Sequence, residues 1–213
     1  VATVQSLSEL ESKVKEVVMR KVDEYLSEDR EGLHVSDLVY DCARRAYFNL
    51  MNGHDNSLSE ETKVTFWVGK ALHELALGEE HEEELIVEGI VGKFDDVIVI
   101  NGEKILIDKK TARFIPKRPY EHHVRQVEYY SAMYWKQFNE DIKYGGVVYI
   151  DVANRKVRPF IFTIERSKSE IWKEMERKRD RIMFAIEVGV PPAGVKGWIC
   201  NYCSWKEDCD VWG

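Results

Sequence analysis

The chain has 213 residues, 44% of them hydrophobic and 32% charged, with a formal net charge of −7. That length fits one large domain, or one domain with a small appendage, and the apolar content suffices for a real core. No apolar run approaches the ~20 residues that span a bilayer and no signal peptide is visible, so the expectation is a soluble, cytoplasmic protein with no membrane partner.

The acidic balance argues mildly against a general nucleic-acid coat, but it averages over unlike regions. Residues 104–125 hold seven Lys or Arg against two acids, whereas residues 74–88 hold seven Glu and no Lys or Arg. A polyanion is drawn to the first region and repelled from the second.

In chain order, residues 5–30 carry Leu10, Val14, Val17, Val18, Val22 and Leu26 on one helical stripe. Ser36 is placed to cap a second helix through about Leu50. Residues 52–59 read as a loop, and Ser57 with Glu60 has capping-box spacing for a third helix through about Leu77. The Glu run at 79–84 reads as a solvated turn. Three strands follow, then a basic, proline-marked loop over 113–119 and a helix from about Tyr120 to Phe138. Strands at 144–152 and 156–163 meet at a turn near Asn154. Ser167 and Glu170 open a last long helix, which Gly189 and Pro191-Pro192 stop. This order predicts a mixed sheet with helices on its faces. The expected layout is one domain over 1–213: a helical part (1–84), a core (85–165), and a C-terminal helix with a cysteine-bearing tail (166–213).

The chemistry concentrates in LIVEGIVGKFDDVIVINGEKILIDKKT, residues 85–111. It reads as strands over Leu85–Val91, Asp95–Ile100 and Lys104–Ile107, with Asn101-Gly102 as a two-residue type I′ hairpin turn. Side chains alternate along a strand, so Asp108 and Lys110 point one way and Lys109 the other. The hairpin folds Asp95 back toward Asp108. Two carboxylates for a divalent cation beside one ammonium suit metal-assisted cleavage of a phosphodiester. Lys109 fits the role of an edge-strand lysine that blocks unwanted pairing.

Three of the four cysteines form the compact cluster Cys200, Cys203 and Cys209, and Cys42 stands alone far upstream. Four thiolates suit zinc or an iron–sulfur cluster. One isolated cysteine plus a triplet favours a cluster that pins the two ends of the chain together; [4Fe–4S] is preferred, and [2Fe–2S] also takes four cysteines.

These elements together resemble the RecB-type nucleases of the PD-(D/E)xK fold, and within them the CRISPR-associated exonucleases with a four-cysteine iron–sulfur cluster, the Cas-four family. The matching elements run in order: Cys42, G-K-A-L-H ending at His73, G-K-F-D ending at Asp95, D-K-K at 108–110, Q-V-E-Y-Y at 126–130, and the terminal cysteines. The resemblance implies an α/β (α+β) restriction-endonuclease-like core, a mixed sheet flanked by helices, with the iron–sulfur cluster joining its N- and C-terminal parts. It implies a metal site of His73, Asp95 and Asp108 for Mn²⁺ or Mg²⁺, Lys110 as the residue that orients the attacking water, and Gln126 and Tyr130 near DNA. The family spacing selects Tyr130 over Tyr129. Asp108 departs from the Glu common in relatives, which shortens one ligand.

The implied activity is 5′→3′ exonuclease action on single-stranded DNA in CRISPR spacer acquisition, alongside integrase proteins, with an oligomer possible. Arg113, Lys117, Arg118, His122, His123 and Arg125 are candidates for phosphate contacts. The tryptophans could include a base-stacking platform, although Trp135 and Trp198 are expected to be packing residues. Two other classes compete: a DNA-binding or integrase-partner module with a vestigial centre, and an iron–sulfur redox or sensor protein. Intact His73, Asp95, Asp108 and Lys110 argue against both.

Overall fold

Eight strands and seven helices are seen in the computed structural model, which describes residues 7–26, 31–53, 59–78 and 80–211. In chain order they begin with α1 (Leu7–Leu26), β1 (Leu33–His34), α2 (Val35–Leu38), α3 (Ala43–Asn52), α4 (Glu60–His73), β2 (Glu80–His81), β3 (Glu84–Val87) and β4 (Ile90–Lys93). They continue with β5 (Asp96–Ile100), β6 (Glu103–Ala112), α5 (Glu121–Phe138), β7 (Tyr144–Asp151), β8 (Lys156–Thr163), α6 (Lys168–Val188), a 3₁₀ turn at Trp198–Tyr202, and α7 (Lys206–Val211).

The chain divides into two compact units, Val1–Glu31 with Asn56–Glu74, and Gly32–Asp55 with Leu75–Gly213. The helical part expected over 1–84 is thus shared between them, because α2 and α3 belong with the sheets. In the first unit α1 and α4 are tied by Lys63 to Asp23 (2.8 Å), by Lys70 Nζ donating to the Tyr25 carbonyl (2.7 Å), and by the Tyr25 hydroxyl donating to Glu74. Ser59 caps α4 by accepting from the Thr62 amide. The expected cap Ser57 lies outside the described residues, and α4 ends at His73, short of Leu77.

The second unit holds two sheets. One runs β1-β4-β3, and the larger runs β2-β5-β6-β7-β8, mixed because β6 and β7 are parallel while its other pairs are antiparallel. The helix α5 makes the crossover a parallel pair needs and buries Val127, Tyr129, Ala132 and Met133 in the core. α6 adds Ile171, Trp172, Met175 and Ile182 to it. Its capping box is formed as the spacing foretold: Ser167 accepts from Glu170 N, and Glu170 accepts from Ser167 N.

Three expectations are corrected. The helix expected from Ser36 to Leu50 is broken, since Asp37 accepts from His34 N and Asn49 Nδ2 and Cys42 turns extended as the N-cap of α3. The strand expected over Leu85–Val91 is the hairpin of β3 and β4, turned at Glu88-Gly89, where φ is +48° and +80°. The Glu run contains an edge strand: β2 pairs with β5, and Glu80 is neutralised by Lys104 at 2.9 Å. Among the described residues no helix is long and apolar enough to cross a membrane.

Candidate active site

The hairpin of β5 and β6 is built by Asn101-Gly102, whose φ values of +54° and +83° match the turn that suits twisted antiparallel strands. Its register pairs Asp96 with Ile107, so Asp95 meets the Asp108 end of β6. Asp95 accepts a hydrogen bond from the Lys109 amide (Oδ2, 2.5 Å). Lys110 Nζ donates to Asp108 at 3.0 Å (Oδ1) and lies 2.9 Å from Oδ2. Asp95 and Asp108 are both buried, at 8% and 2% exposure, so their charges are held in a medium that screens them poorly. Gln126 Nε2 donates to Tyr130 Oη at 2.8 Å across one turn of α5. Tyr130 is buried against Gly92 of β4.

The opposite face of the same strands holds a second constellation that the sequence reading missed. Lys109 is 1% exposed and Asp96 0%. Lys109 Nζ lies 2.9 Å from Asp96 Oδ2 and donates to the Leu75 carbonyl at 2.6 Å. Asp96 Oδ1 accepts from the Leu77 amide (2.7 Å) and the Gly78 amide (3.3 Å), and His81 Nδ1 lies 3.0 Å away. Gly78 is required here, since a Cβ would fall 2.1 Å from the Val97 carbonyl oxygen. Lys109 is therefore no edge-strand guard: β6 is interior, and its middle lysine clamps the 75–78 segment to the sheet. The signal was the parity of Lys109 with buried Ile105 and Ile107.

His73 ends α4 in the first unit, while Asp95, Asp108 and Lys110 belong to the second. Among the described residues no group of three or more His, Cys, Asp or Glu is arranged to hold a metal ion. The chemistry of the donors nevertheless fits a divalent cation. Two adjoining buried carboxylates offer hard oxygens, and Asp108 already takes a cationic partner in Lys110.

Cys42, Cys200, Cys203 and Cys209 line a single cavity of about 600 Å³, and all four are free thiols. Arg44, itself buried, donates to the Cys209 carbonyl (3.1 Å) and lies 3.4 Å from its Sγ. Arg45, Lys196 and Lys206 add positive charge to the walls. Burial pushes the Cys203 thiol up. The donor chemistry of four sulfurs in a cationic cavity suits a thiolate-bound metal centre, although the four are not gathered in a ligating arrangement.

The basic loop divides differently from expectation. Arg113, Lys117 and Arg118 are exposed, whereas Arg125 is engaged by Asp41 at 2.9 Å. His122 and His123 sit in a ring cluster and are pushed down, chiefly by burial and then by Lys110, His123 to about 3. Both shifts disfavour the imidazolium form of these rings. Trp198 is 56% exposed, with its ring against His122 and Tyr40.

The sequence profile of the PD-(D/E)XK nuclease superfamily matches residues 8–210. Among solved structures, that of SSO0001 is 23% identical over 92% of this chain and 96% of that one, with a TM-score of 0.58, a likeness of fold. A phage-related exonuclease from Haemophilus somnus 129PT is 13% identical over 72% and 92%, with a TM-score of 0.43. No curated protein matches. With the profile spanning nearly the whole sequence and the paired carboxylates and lysine lying on its central hairpin, the chain belongs to the PD-(D/E)XK nuclease superfamily.

Proposed function

We propose that the chain is a metal-dependent deoxyribonuclease that removes nucleotides from single-stranded DNA in the 5′→3′ direction. The observation that carries the reading is the meeting of Asp95, Asp108 and Lys110 at one end of the β5–β6 hairpin. Asp95 and Asp108 would hold Mg²⁺ or Mn²⁺, the cation for which the resemblance also implies His73 as a ligand. When bound, the cation supplies Lewis acidity, offsetting charge that builds on the scissile phosphate. Asp108 keeps the Lys110 ammonium directed into the site. Lys110 can there orient a water by hydrogen bonding and donate to a phosphoryl oxygen. The Lys109 amide fixes the Asp95 carboxylate. Gln126, with its amide directed to Tyr130, lines the approach for DNA.

The four cysteines would hold an iron–sulfur cluster with a structural role, joining α3 to the C-terminal tail. The resemblance to the Cas-four exonucleases extends the reading to spacer acquisition in the cytoplasm, where the protein trims DNA beside CRISPR integrase proteins.

The test is incubation of end-labelled single-stranded DNA with Mn²⁺ or Mg²⁺, comparing wild type with Asp108→Ala. Shortening from the 5′ end by wild type alone is the expected result. Equal cleavage by both proteins would assign the activity to another centre or to a contaminant.

A further inference from the structure

A cavity of about 780 Å³ opens between the 113–120 loop and the Trp198–Tyr202 turn, within the ~300–1,000 Å³ range of ligand-binding clefts. Its walls include Lys117, Arg118, Tyr120, His122, Trp198 and Tyr202. The His122 ring stacks on Tyr40 (5.6 Å, 29°) and on Tyr120 (5.7 Å, 15°), and Trp198 leans on it at 5.1 Å. Tyr202 meets the Trp198 edge at 6.3 Å.

Three of these rings are held in place yet face water: Tyr120, Trp198 and Tyr202 are 51%, 56% and 78% exposed. Large apolar rings gathered at one spot with a basic fringe mark a binding surface rather than ordinary surface scatter. Lys117 and Arg118 are exposed at the rim, and among the described residues neither has an acidic partner. Glu121 is the one acid in the lining.

The ring cluster leads to the candidate active site. His123 packs on Tyr149 (5.6 Å) with Nδ1 2.8 Å from its hydroxyl, and the Tyr120 amide donates to that same oxygen at 3.1 Å. Tyr149 is the register partner of Lys110 on the neighbouring strand. A strand engaged at Lys110 therefore lies within reach of the aromatic cavity.

We propose that this cavity takes an unpaired nucleobase of single-stranded DNA, stacked on Trp198 and Tyr120, with the flanking phosphates on Lys117 and Arg118. The inference rests on the nuclease reading for the identity of its ligand, and it names the substrate feature that the site selects. A base within a duplex already has both faces covered, so these rings favour a single strand whatever its sequence. The two basic side chains also account for how a chain of net charge −7 holds a polyanion: attraction is local to this rim.

Fluorescence anisotropy of a short labelled oligothymidine, with EDTA present, reads binding without turnover. Trp198→Ala is expected to weaken binding about tenfold, and Trp198→Phe to restore most of it, because the ring and not the indole nitrogen carries the contact. An oligomer of abasic sites of equal length should bind wild type and Trp198→Ala alike. Tyr120→Ala gives a second, independent removal of the platform with the same expected pattern. Weakening that is equal for both oligomers, or absent for oligothymidine, overturns the proposal. No metal and no cleavage enter this measurement, so its outcome and that of the Asp108→Ala cleavage assay are separable.

Discussion

Lys109 and Asp96 form a fully buried ion pair, 2.9 Å from Nζ to Oδ2, directly behind the strand face that carries Asp95, Asp108 and Lys110. Removing Lys109 takes the buried cation from the Asp96 carboxylate and leaves it only the Leu77 and Gly78 amides and His81. Lys109→Met is expected to cost about 3–5 kcal/mol, whereas the double variant Asp96→Asn with Lys109→Met recovers much of that loss. Urea unfolding of the two variants and wild type measures the difference, and an equal loss in both would show that the charge pairing is not what matters.

Lys110 faces the opposite way, and its removal should act on turnover. Lys110→Met is expected to lower the cleavage rate about 10²–10³-fold, the effect of deleting one donor aimed at developing charge. Single-turnover rates under saturating DNA isolate that effect from binding.

Acid should weaken the fold through His123. Burial, then the charges of Lys110 and His122, push it from 6.5 down to about 3. Between those values the unfolded chain binds a proton that the folded chain does not, so stability falls as pH drops from about 6.5 toward about 3. His123→Phe loses the contact to Tyr149 and should be the less stable protein at pH 7. Thermal midpoints across that window should show the gap to wild type narrowing on acidification.

Glu174 titrates in a lower window with its own sign. Burial opposes its charge, but the Tyr129 hydroxyl, Arg166 and Lys178 outweigh burial and hold it down to about 2. Its stabilisation is present above about 4.5 and is lost as pH falls through about 2. Glu174→Gln is expected to cost about 1.5–3 kcal/mol at neutral pH, the worth of hydrogen bonds to a charged group, and progressively less in acid. Denaturant titrations at pH 7 and pH 3 compare the two.

The rim of the aromatic cavity can be read from salt dependence. Each phosphate contact to a single strand contributes about −0.7 to the slope of log affinity against log salt. Lys117→Ala with Arg118→Ala should flatten that slope by about 1.4. An unchanged slope would place the phosphates elsewhere.

Much of the site could be read from residue order because it depends on local rules. Asn101-Gly102 fixes a two-residue turn, and strand alternation then separates Asp108 and Lys110 from Lys109 whatever surrounds them. The caps of α6 and the end of α5 are equally local. What escaped depended on distant partners. Nothing near Lys109 announces that Asp96 and the Leu75 carbonyl will enclose its ammonium. The break before α3 carries no proline or glycine and follows from Asp37 being taken up by His34 and Asn49. Glu88 was a hidden turn residue, since its left-handed backbone is uncommon for a side chain of that kind.

The turn Asn101-Gly102 acts as a ruler for both faces of β6. A one-residue insertion that slid β6 against β5 would turn Lys109 onto the face of Asp95 and bring Lys110 and Asp108 round to the face of Asp96. Catalytic competence and structural integrity would then fail at one stroke, so this loop should reject changes of length while tolerating changes of composition that keep its backbone left-handed.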